Sequence, residues 1–306
     1  MNPLILSMPG SESLAQALVD GLPAERGAIE LRAFPDGETY VRIESAVSNR
    51  DVLLVACLDN PDAKLVPLFL TASTASSLGA RNIVLVAPYL PYMRQDSVFH
   101  PGEGLSSTFI AHWISGFADG LVTVEPHLHR IARLADVYSI PVETVSATHC
   151  IAHWVGENVA RPMIVGPDME SRQWSDSVAR ALECPGIVLH KVRHGDRHVE
   201  ISIPDLPAYT DFTPVLIDDI ISSGQTMATA VRRLRSAGFP QPVCVGVHAL
   251  FGQDTTDLLH TAGAERIVSC NTVIHPSNAI DLGRSVTAAA RSLLRTLDRP
   301  ARSGPG

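Results

Sequence analysis

The segment Val215–Thr226, with the sequence VLIDDIISSGQT, is the clearest indication of the fold in this chain. Its first three residues are apolar, which predicts a strand covered on both faces. Two adjacent carboxylates follow, and a turn of small residues then leads into an amphipathic helix. The apolar positions of this helix are Met227, Ala230, Val231 and Leu234. A strand, a turn and a helix in direct succession form the unit from which parallel α/β sheets are built.

Similar short apolar runs alternate with helical patterns along most of the chain. They are rich in Val, Ile and Leu without polar alternation, as buried parallel strands are. The runs are Val52–Ala56, Ile83–Ala87, Leu121–Val124, Met163–Val165, Val215–Ile217 and Val243–Val247. Another amphipathic helix is marked by Leu105, Phe109, Trp113, Ile114 and Phe117. The sequence therefore predicts an α/β fold in which mainly parallel sheets are flanked by helices.

Turn-forming residues mark the ends of some elements. Ser222 or Ser223 is predicted to cap the helix that follows the two carboxylates. Gly238 followed by Pro240 is predicted to end it. The segment Leu31–Ile43 contains two short strand-like runs separated by the letters FPDGE, which predicts a loop or a hairpin.

The length of 306 residues predicts two domains, at roughly 100–200 residues per domain. We expect a first domain over residues 1–145 and a second over residues 146–295. The final helix, around Ser285–Leu294, could pack on either of them. Residues 296–306 are expected to form a flexible tail, because its end is rich in Pro, Gly and Ser.

Composition excludes several classes of protein. The net charge of −8 argues against nonspecific nucleic-acid binding, which needs a basic surface. No apolar run approaches the roughly 20 residues that cross a bilayer, and the first residues lack the pattern of a signal peptide. The five cysteines are scattered and form no CxxC pair, which argues against a disulfide framework. We therefore expect a cytoplasmic protein that binds neither nucleic acid nor membrane.

The turn after the strand has the chemistry of a phosphate site. Backbone N–H groups at a helix N-terminus attract anions, Gly224 allows close approach of the backbone, and neighbouring hydroxyls add donors. Asp218 and Asp219 follow a strand, where ligands of α/β sheets bind. They could accept hydrogen bonds from sugar hydroxyls or hold a magnesium ion. A capped helix beside solvated acids is the simpler alternative, but the combination of these residues is much rarer.

The segment Val215–Thr226 resembles the phosphoribosyl pyrophosphate loop of type I phosphoribosyltransferases and ribose-phosphate diphosphokinases. Two other segments favour the diphosphokinases. Phe34–Glu38 resembles their ATP-binding hairpin, and Pro88–Asp96, PYLPYMRQD, is similar to their Pro-Tyr-x-Arg-Gln-Asp segment. Phe99–Ser106 resembles the stretch that follows it in the family. The motifs stand in the family's order, and the resemblance spans most of residues 1–290.

The resemblance implies two similar type I phosphoribosyltransferase-like domains and a magnesium-dependent reaction. The reaction transfers the diphosphoryl group of ATP to the C1 hydroxyl of ribose 5-phosphate and releases AMP. It also implies a homo-oligomer in which a neighbouring subunit contributes the hairpin to the nucleotide site. The implied ATP-binding residues are Phe34, Asp36, Glu38, Arg94, Gln95 and Asp96. The implied ribose 5-phosphate residues are Asp168, Asp218, Asp219, Ser222, Ser223, Gly224, Gln225 and Thr226.

The resemblance also implies catalytic and metal-binding residues. Lys191 and Arg193 match the catalytic Lys-x-Arg of the family's flexible loop, and cations suit a reaction that places charge on phosphate oxygens. The implied metal residues are His127 and Asp168. The sequence departs from the family at Glu125-Pro126, where Asp-Leu is usual, and at Met169-Glu170, which is bulkier and more acidic. The neighbouring His129 is an alternative to His127.

Two other functions remain possible from the sequence. One is a regulatory paralogue that binds nucleotide without turnover, which the two departures keep open. The other is a transferase that consumes phosphoribosyl pyrophosphate, although such an enzyme has no need of the ATP segments. His149 and His153 have a spacing that could bind zinc on a helix, but no third ligand with suitable spacing follows, so surface histidines are the better interpretation.

Overall fold

A computed structural model describes residues 2–194, 198–202 and 209–298, with only the backbone described for residues 190–194 and 198–202. The helices and strands up to residue 145 are β1 (Leu4–Ser7), α1 (Glu12–Gly21), β2 (Glu25–Arg26), β3 (Ile29–Ala33), β4 (Thr39–Ile43), β5 (Asp51–Val55), α2 (Asp62–Ser77), β6 (Asn82–Val86), α3 (Ser106–Ser115), β7 (Gly120–Val124) and β8 (Val142–Val145). Those that follow are α4 (Thr148–Asn158), β9 (Pro162–Gly166), α5 (Arg172–Leu182), β10 (Gly186–Val188), β11 (His190–His194), β12 (His198–Ser202), β13 (Thr213–Ile221), α6 (Gln225–Ser236), β14 (Val243–Ala249), α7 (Gln253–Ala262), β15 (Arg266–Cys270), β16 (Asn278–Ile280) and α8 (Gly283–Leu297).

The chain folds into two compact units. Unit 1 contains the described residues up to Val145 together with those from Gly283 onward, and unit 2 comprises Ser146–Leu282. Helix α8 therefore belongs to unit 1, where Thr287 Oγ1 lies 3.4 Å from the carbonyl oxygen of Ala17 and Ser292 donates a hydrogen bond to Glu143. Residues 299–306, most of the tail expected from the sequence, lie outside the described residues.

Each unit is built on a parallel sheet of six strands, as far as the described residues show. The strand order is β2-β1-β5-β6-β7-β8 in unit 1 and β10-β9-β13-β14-β15-β16 in unit 2. Numbered within each unit, both orders are 2-1-3-4-5-6. In both units an antiparallel hairpin, β3–β4 or β11–β12, is inserted between the second and third strands of the sheet. The predicted α/β fold with mainly parallel sheets is confirmed.

The apolar runs in the sequence correspond to central strands. All five residues of β5 and of β7 are buried, as the absence of polar alternation predicts. The run at Val215–Ile217 is the middle of a longer strand, because β13 continues to Ile221. The two carboxylates predicted to follow the strand therefore lie within its last part.

The two helices predicted from apolar spacing differ in outcome. In α6, all four positions chosen from the sequence are buried against unit 2. In α3, the buried positions are Ser107, Ala111 and Ile114, while Phe109 is 63% exposed. The spacing identified the helix, and of the predicted positions Ile114 is buried, Trp113 and Phe117 are partly buried against the core, and Phe109 is exposed.

The described helices are all too short or too polar to span a membrane. Each of the five cysteines is described, and no two of them form a disulfide.

Candidate active site

The two adjacent carboxylates lie where the sheet of unit 2 opens. Strand β13 pairs with β9 only as far as Leu216, which lies opposite Val165, but it pairs with β14 as far as Ile221. The chain turns away from β9 toward β10 on one side and from β13 toward β14 on the other. Asp218 and Asp219 therefore line a crevice at the point where the strand order reverses, which is the usual ligand position in such sheets.

The turn after β13 forms a helix N-terminus without a side-chain cap. The residue preceding α6 is Gly224, with φ of 68°, and no side chain caps this helix among the described residues. The prediction that Ser222 or Ser223 caps α6 is therefore wrong, since the left-handed glycine occupies the cap position. The first backbone N–H groups of α6 are consequently available to an anion. At the other end, Gly238 has φ of 87° and follows the helix as predicted.

Electrostatics at this crevice favour a cation or a hydrogen-bond donor. Burial, and then the negative charges of Asp219 and Asp168, raise the pKa of Asp218 well above its ordinary value. Both carboxylates also organise the local backbone, because Asp218 Oδ1 accepts from the Asp219 N–H and Asp219 Oδ1 accepts from the Ile220 N–H. A bound metal ion, or hydrogen bonds from sugar hydroxyls, would reduce the repulsion between these like charges.

Asp168 occupies the turn between β9 and α5. Its Oδ1 accepts hydrogen bonds from the N–H groups of Glu170 and Ser171, at 3.1 and 3.3 Å. Ser171 Oγ in turn donates to the carbonyl of Asp168 at 2.7 Å. Gly166, which precedes this turn, permits it to pack closely, because a Cβ there would lie 2.6 Å from Ser171 Oγ. The bulky Met169 is 44% exposed, so the turn accommodates this departure from the family pattern without burying it.

The segment predicted as a loop or hairpin in unit 1 is an antiparallel hairpin. Residues 29–33 of β3 pair with residues 39–43 of β4, and Gly37 at φ of 91° closes the turn. Phe34 is 39% exposed, and its ring meets that of Tyr40 edge-on with centroids 6.1 Å apart. The Arg32 guanidinium lies over both rings. Asp36 and Glu38 are exposed on the same turn, so the three predicted nucleotide residues are presented together at its tip.

Arg94, Gln95 and Asp96 follow β6 and differ in exposure. Arg94 is exposed, and Gln95 Oε1 accepts a hydrogen bond from Ser106 at the start of α3. The side chain of Asp96 is only 2% exposed and is paired with Arg130. Upstream, Tyr92 has φ of 63° and its hydroxyl donates to the Asp62 carboxylate. A bulky residue in the left-handed region is uncommon and marks a backbone held by its surroundings.

The predicted metal residue of unit 1 follows β7. The rings of His127 and His129 are stacked, with centroids 3.8 Å apart and planes at 30°. Glu125, at one of the departures from the family pattern, has φ of 33° while its N–H donates to the carbonyl of Val145. A strained residue at the end of a strand fixes the direction in which the following histidines leave the sheet.

Lys191 and Arg193 lie on β11, whose backbone pairs with β12 in an antiparallel hairpin. Their side chains lie outside the described part of the structure, as do residues 195–197. The histidines at 190, 194 and 198 lie on the same two strands. His149 and His153 do lie on α4, where both are exposed.

Comparison with known proteins covers nearly the whole chain. Residues 4–117 match the N-terminal domain of ribose phosphate pyrophosphokinase, and residues 138–286 match the phosphoribosyl transferase domain. The ribose-phosphate pyrophosphokinase of Methanopyrus kandleri is 30% identical over 292 residues, which cover 95% of this chain and 99% of that protein. The chain belongs to the ribose-phosphate pyrophosphokinase family.

Two further comparisons agree with membership of the ribose-phosphate pyrophosphokinase family. The Methanobrevibacter smithii member is 29% identical over 300 residues, covering 94% of this chain and all of that protein. The crystal structure of phosphoribosylpyrophosphate synthetase from Mycobacterium smegmatis shares the fold, with a TM-score of 0.83 and 22% identity over 97% of this chain and all of that one. The predicted family and its phosphoribosyltransferase-like architecture are therefore confirmed.

Two residues that support the candidate site of this ribose-phosphate pyrophosphokinase family member could not be predicted from the sequence. Thr255 Oγ1, on α7, donates to the carbonyl of Ser222 at 3.0 Å and so supports the turn before α6. Arg130 binds Asp96 from a loop that follows a different strand. Each contact joins positions more than 30 residues apart, and no spacing rule in the sequence connects them.

Proposed function

We propose that this chain transfers the diphosphoryl group of ATP to ribose 5-phosphate, forming 5-phosphoribosyl 1-diphosphate and AMP. The C1 hydroxyl oxygen forms a bond to the β-phosphorus of ATP and loses its proton. The bond between that phosphorus and the oxygen bridging to the α-phosphate breaks, and AMP leaves. The observation that carries the proposal is the crevice of β13 and α6, a carboxylate pair beside an uncapped helix N-terminus, in a chain that matches the family over nearly its full length.

Ribose 5-phosphate is proposed to bind in unit 2. Its phosphate is proposed to accept hydrogen bonds from the backbone N–H groups at the start of α6 and from the hydroxyls of Ser222, Ser223 and Thr226. The dipole of α6 also favours an anion at this end of the helix. Asp218 and Asp219 accept hydrogen bonds from the ribose hydroxyls. Gly224 keeps the backbone close to the ligand, and Gln225 begins the helix at an exposed position.

Magnesium fits the same crevice by its donor chemistry. Carboxylate oxygens are the ligands that this ion prefers. Burial and the charges of Asp219 and Asp168 raise the pKa of Asp218 and so disfavour its ionised form, and a bound cation would counter that repulsion. Bound magnesium would neutralise phosphate charge and orient oxygens. Asp168 contributes one carboxylate in unit 2, with Oδ1 engaged by the backbone N–H groups of its own turn. Within unit 1, His127 is the residue proposed to bind magnesium.

ATP is proposed to bind through segments of unit 1. Phe34 is an exposed ring suited to stacking on adenine, and Asp36 and Glu38 are acceptors for base and ribose donors. Arg94 is an exposed guanidinium suited to phosphate. We propose that the hairpin serves the nucleotide site of a neighbouring copy, which makes the active protein a homo-oligomer.

Lys191 and Arg193 are the proposed catalytic cations. Phosphoryl transfer depends mainly on alignment and on charge stabilisation at the phosphate oxygens. Two cations on a strand of the hairpin β11–β12 can meet that need without taking part in a covalent step. Since ATP and ribose 5-phosphate are cytoplasmic metabolites, a cytoplasmic location is part of the proposal.

The test is AMP formation from ATP and magnesium with and without ribose 5-phosphate, with phosphorus NMR to identify the second product. We expect AMP that depends on the sugar phosphate, together with a diphosphorylated sugar. ATP binding without AMP, across several pentose phosphates, would contradict the proposal and favour a regulatory protein. Variant K191A should lower turnover far more than ATP affinity, because its proposed role lies in the transition state.

A further inference from the structure

Two loops of unit 1 are joined by an ion pair between the buried Asp96 carboxylate and the guanidinium of Arg130, whose side chain is 54% exposed. The backbone N–H of Arg130 donates to Asp96 Oδ2 at 3.0 Å, and its guanidinium donates to Asp96 Oδ1 at 3.0 Å. Asp96 belongs to the loop after β6, and Arg130 to the loop after β7. Both carboxylate oxygens are therefore engaged by one residue that is 34 positions away in the sequence.

Arg130 also touches a second residue of the loop after β6. Its guanidinium lies over the ring of Phe99, 5.0 Å from the centroid. Phe99 is 58% exposed, so the ring is not held by the core of unit 1. Arg130 thus contacts this loop at Asp96 and at Phe99. Both positions follow the predicted nucleotide residues Arg94 and Gln95 in the sequence.

The burial of Asp96 limits what this residue can do. Its side chain is 2% exposed and its two oxygens accept from Arg130, so it has little surface to offer a nucleotide. A buried carboxylate needs a partner, and removing that partner leaves an uncompensated charge that the loop can relieve only by moving. Arg94 and Gln95 are the two residues immediately before Asp96, so any such movement displaces them.

We propose that Arg130 is a positioning residue for ATP binding, which acts through Asp96 to hold Arg94 and Gln95 in place. The proposal rests on the proposed function for the identity of the nucleotide. It also reassigns Asp96, expected from the sequence to contact ATP, to an internal anchor. Residues 118–137 lie between the two family matches, so neither match bears on Arg130.

The nearby pair of Arg133 and Asp136 provides a matched control. The Arg133 N–H donates to Asp136 Oδ2 at 3.2 Å, and its guanidinium donates to Asp136 Oδ1 at 3.0 Å. The hydrogen bonds are therefore of the same kind as those of Arg130. This pair, however, is local in sequence and exposed, with 77% of the Arg133 side chain and 39% of the Asp136 side chain accessible.

The experiment compares R130Q with R133Q in the full chain. Binding of a nonhydrolysable ATP analogue is measured by calorimetry, and KM and kcat are measured for both substrates. We expect R130Q to weaken analogue binding and raise the KM for ATP about tenfold, since small displacements of binding groups are costly. The KM for ribose 5-phosphate should stay close to that of R133Q. R130K should recover part of the affinity, because it restores the charge opposite Asp96.

A double variant separates loss of the pair from general damage. In D96N/R130Q two neutral amides face each other, so no charge remains unpaired. We therefore expect this double variant to lose less ATP affinity than the product of the fold-losses of D96N and R130Q. In the corresponding D136N/R133Q variant, the effects of the two substitutions on ATP affinity should be additive, and the affinity should stay near that of wild type.

Several results would overturn the proposal. They are equal ATP affinity in R130Q and R133Q, an equal rise in KM for both substrates, or additivity in the D96N/R130Q cycle. Because analogue binding needs no turnover, a wild-type protein that binds the analogue but forms no AMP contradicts the proposed function while leaving this test in force. Wild-type protein that binds no analogue would overturn both.

Discussion

The Cα of Gly224 lies so close to Thr255 that a Cβ added there would approach Thr255 Cγ2 to 2.5 Å. Thr255 also donates a hydrogen bond to the carbonyl of Ser222. Thr255 at the start of α7 therefore packs against the turn before α6 and stabilises it. Gly224 allows this close packing because it has no side chain. The phosphate-binding geometry proposed for unit 2 consequently depends on two helices and not on one loop.

The first prediction concerns G224A. The added methyl group meets Thr255, and φ of 68° is strained for alanine, so we expect a loss of about 2 kcal/mol of unfolding free energy and a marked rise in the KM for ribose 5-phosphate. Urea unfolding and initial rates measure these effects. G238A is the control, because Gly238 also has positive φ, at the other end of α6, but has no atom within 4 Å of a Cβ. If G238A raises that KM equally, backbone strain in α6 is responsible and contact with Thr255 is not.

The second prediction concerns D218N. Because the pKa of Asp218 in the folded protein lies above its ordinary value, its charged form destabilises the fold once the pH rises above that ordinary value. D218N should therefore raise the stability of the ligand-free protein at neutral pH, by about 1 kcal/mol, and abolish magnesium-dependent stabilisation and activity. Thermal melts with and without magnesium measure both effects.

D211N is the control for D218N, since the Asp211 side chain is 79% exposed and lies 3.8 Å from Arg161. It should change neither the melting temperature nor the response to magnesium. A ligand-free D218N protein that is less stable than wild type would contradict the prediction, because asparagine keeps an Oδ1 that can accept from the Asp219 N–H and removes only the charge.

Central strands could be predicted from the sequence, and peripheral ones could not. Strands such as β5 and β7 are covered on both faces, so they are rich in Val and Leu without the polar alternation of a half-exposed strand, and this pattern is visible in the sequence. Strand β2 has two residues, both exposed, and nothing in its composition distinguishes it from a loop. Periodicity located α3 and its buried Ile114, but it did not reveal that the small Ser107 and Ala111 are also buried or that Phe109 is exposed.

The residues of the candidate site, too, could be predicted from the sequence only in part. Residues that act within one turn, such as Ser222–Thr226, stand together in the sequence and can be recognised by their chemistry. Contacts such as that of Asp96 with Arg130 depend on which loops the sheet order brings together, so the sequence alone does not reveal this pairing. The cap of α6 was predicted incorrectly for a related reason, since several small residues compete for that position and the close approach of Thr255 selects glycine.

The third prediction concerns acid stability. Asp51 is buried, and although burial raises its pKa, hydrogen bonds from Arg81 and Asn82 outweigh that effect and leave the pKa below its ordinary value of 3.8. A lowered pKa contributes stability above the unfolded value that is lost as the pH falls through the folded value. D51N should cost about 3 kcal/mol at neutral pH, and its stability should fall less steeply than that of wild type below about pH 4.

Urea unfolding between pH 2 and 7 tests the prediction for Asp51, with D20N as the control in unit 1. Asp20 is exposed and accepts a hydrogen bond from Gln16 on its own helix, so D20N should stay within about 0.5 kcal/mol of wild type. Parallel acid profiles for D51N and wild type would mean that other carboxylates set the acid limit.

The last prediction tests whether the hairpin serves a neighbouring copy. F34A removes the exposed ring proposed to stack on adenine, and D219N damages the ribose 5-phosphate crevice of its own copy. Each variant alone should have little activity. A mixture co-expressed in equal amounts should recover about one quarter of the wild-type rate per site, because in a symmetric oligomer a quarter of the sites combine an intact hairpin with an intact crevice. AMP formation measures the recovery. A mixture of F34A with E38A, both damaged in the same hairpin, should recover none. If F34A and D219N together give only the mean of their separate rates, the hairpin acts within its own copy and the shared nucleotide site is excluded.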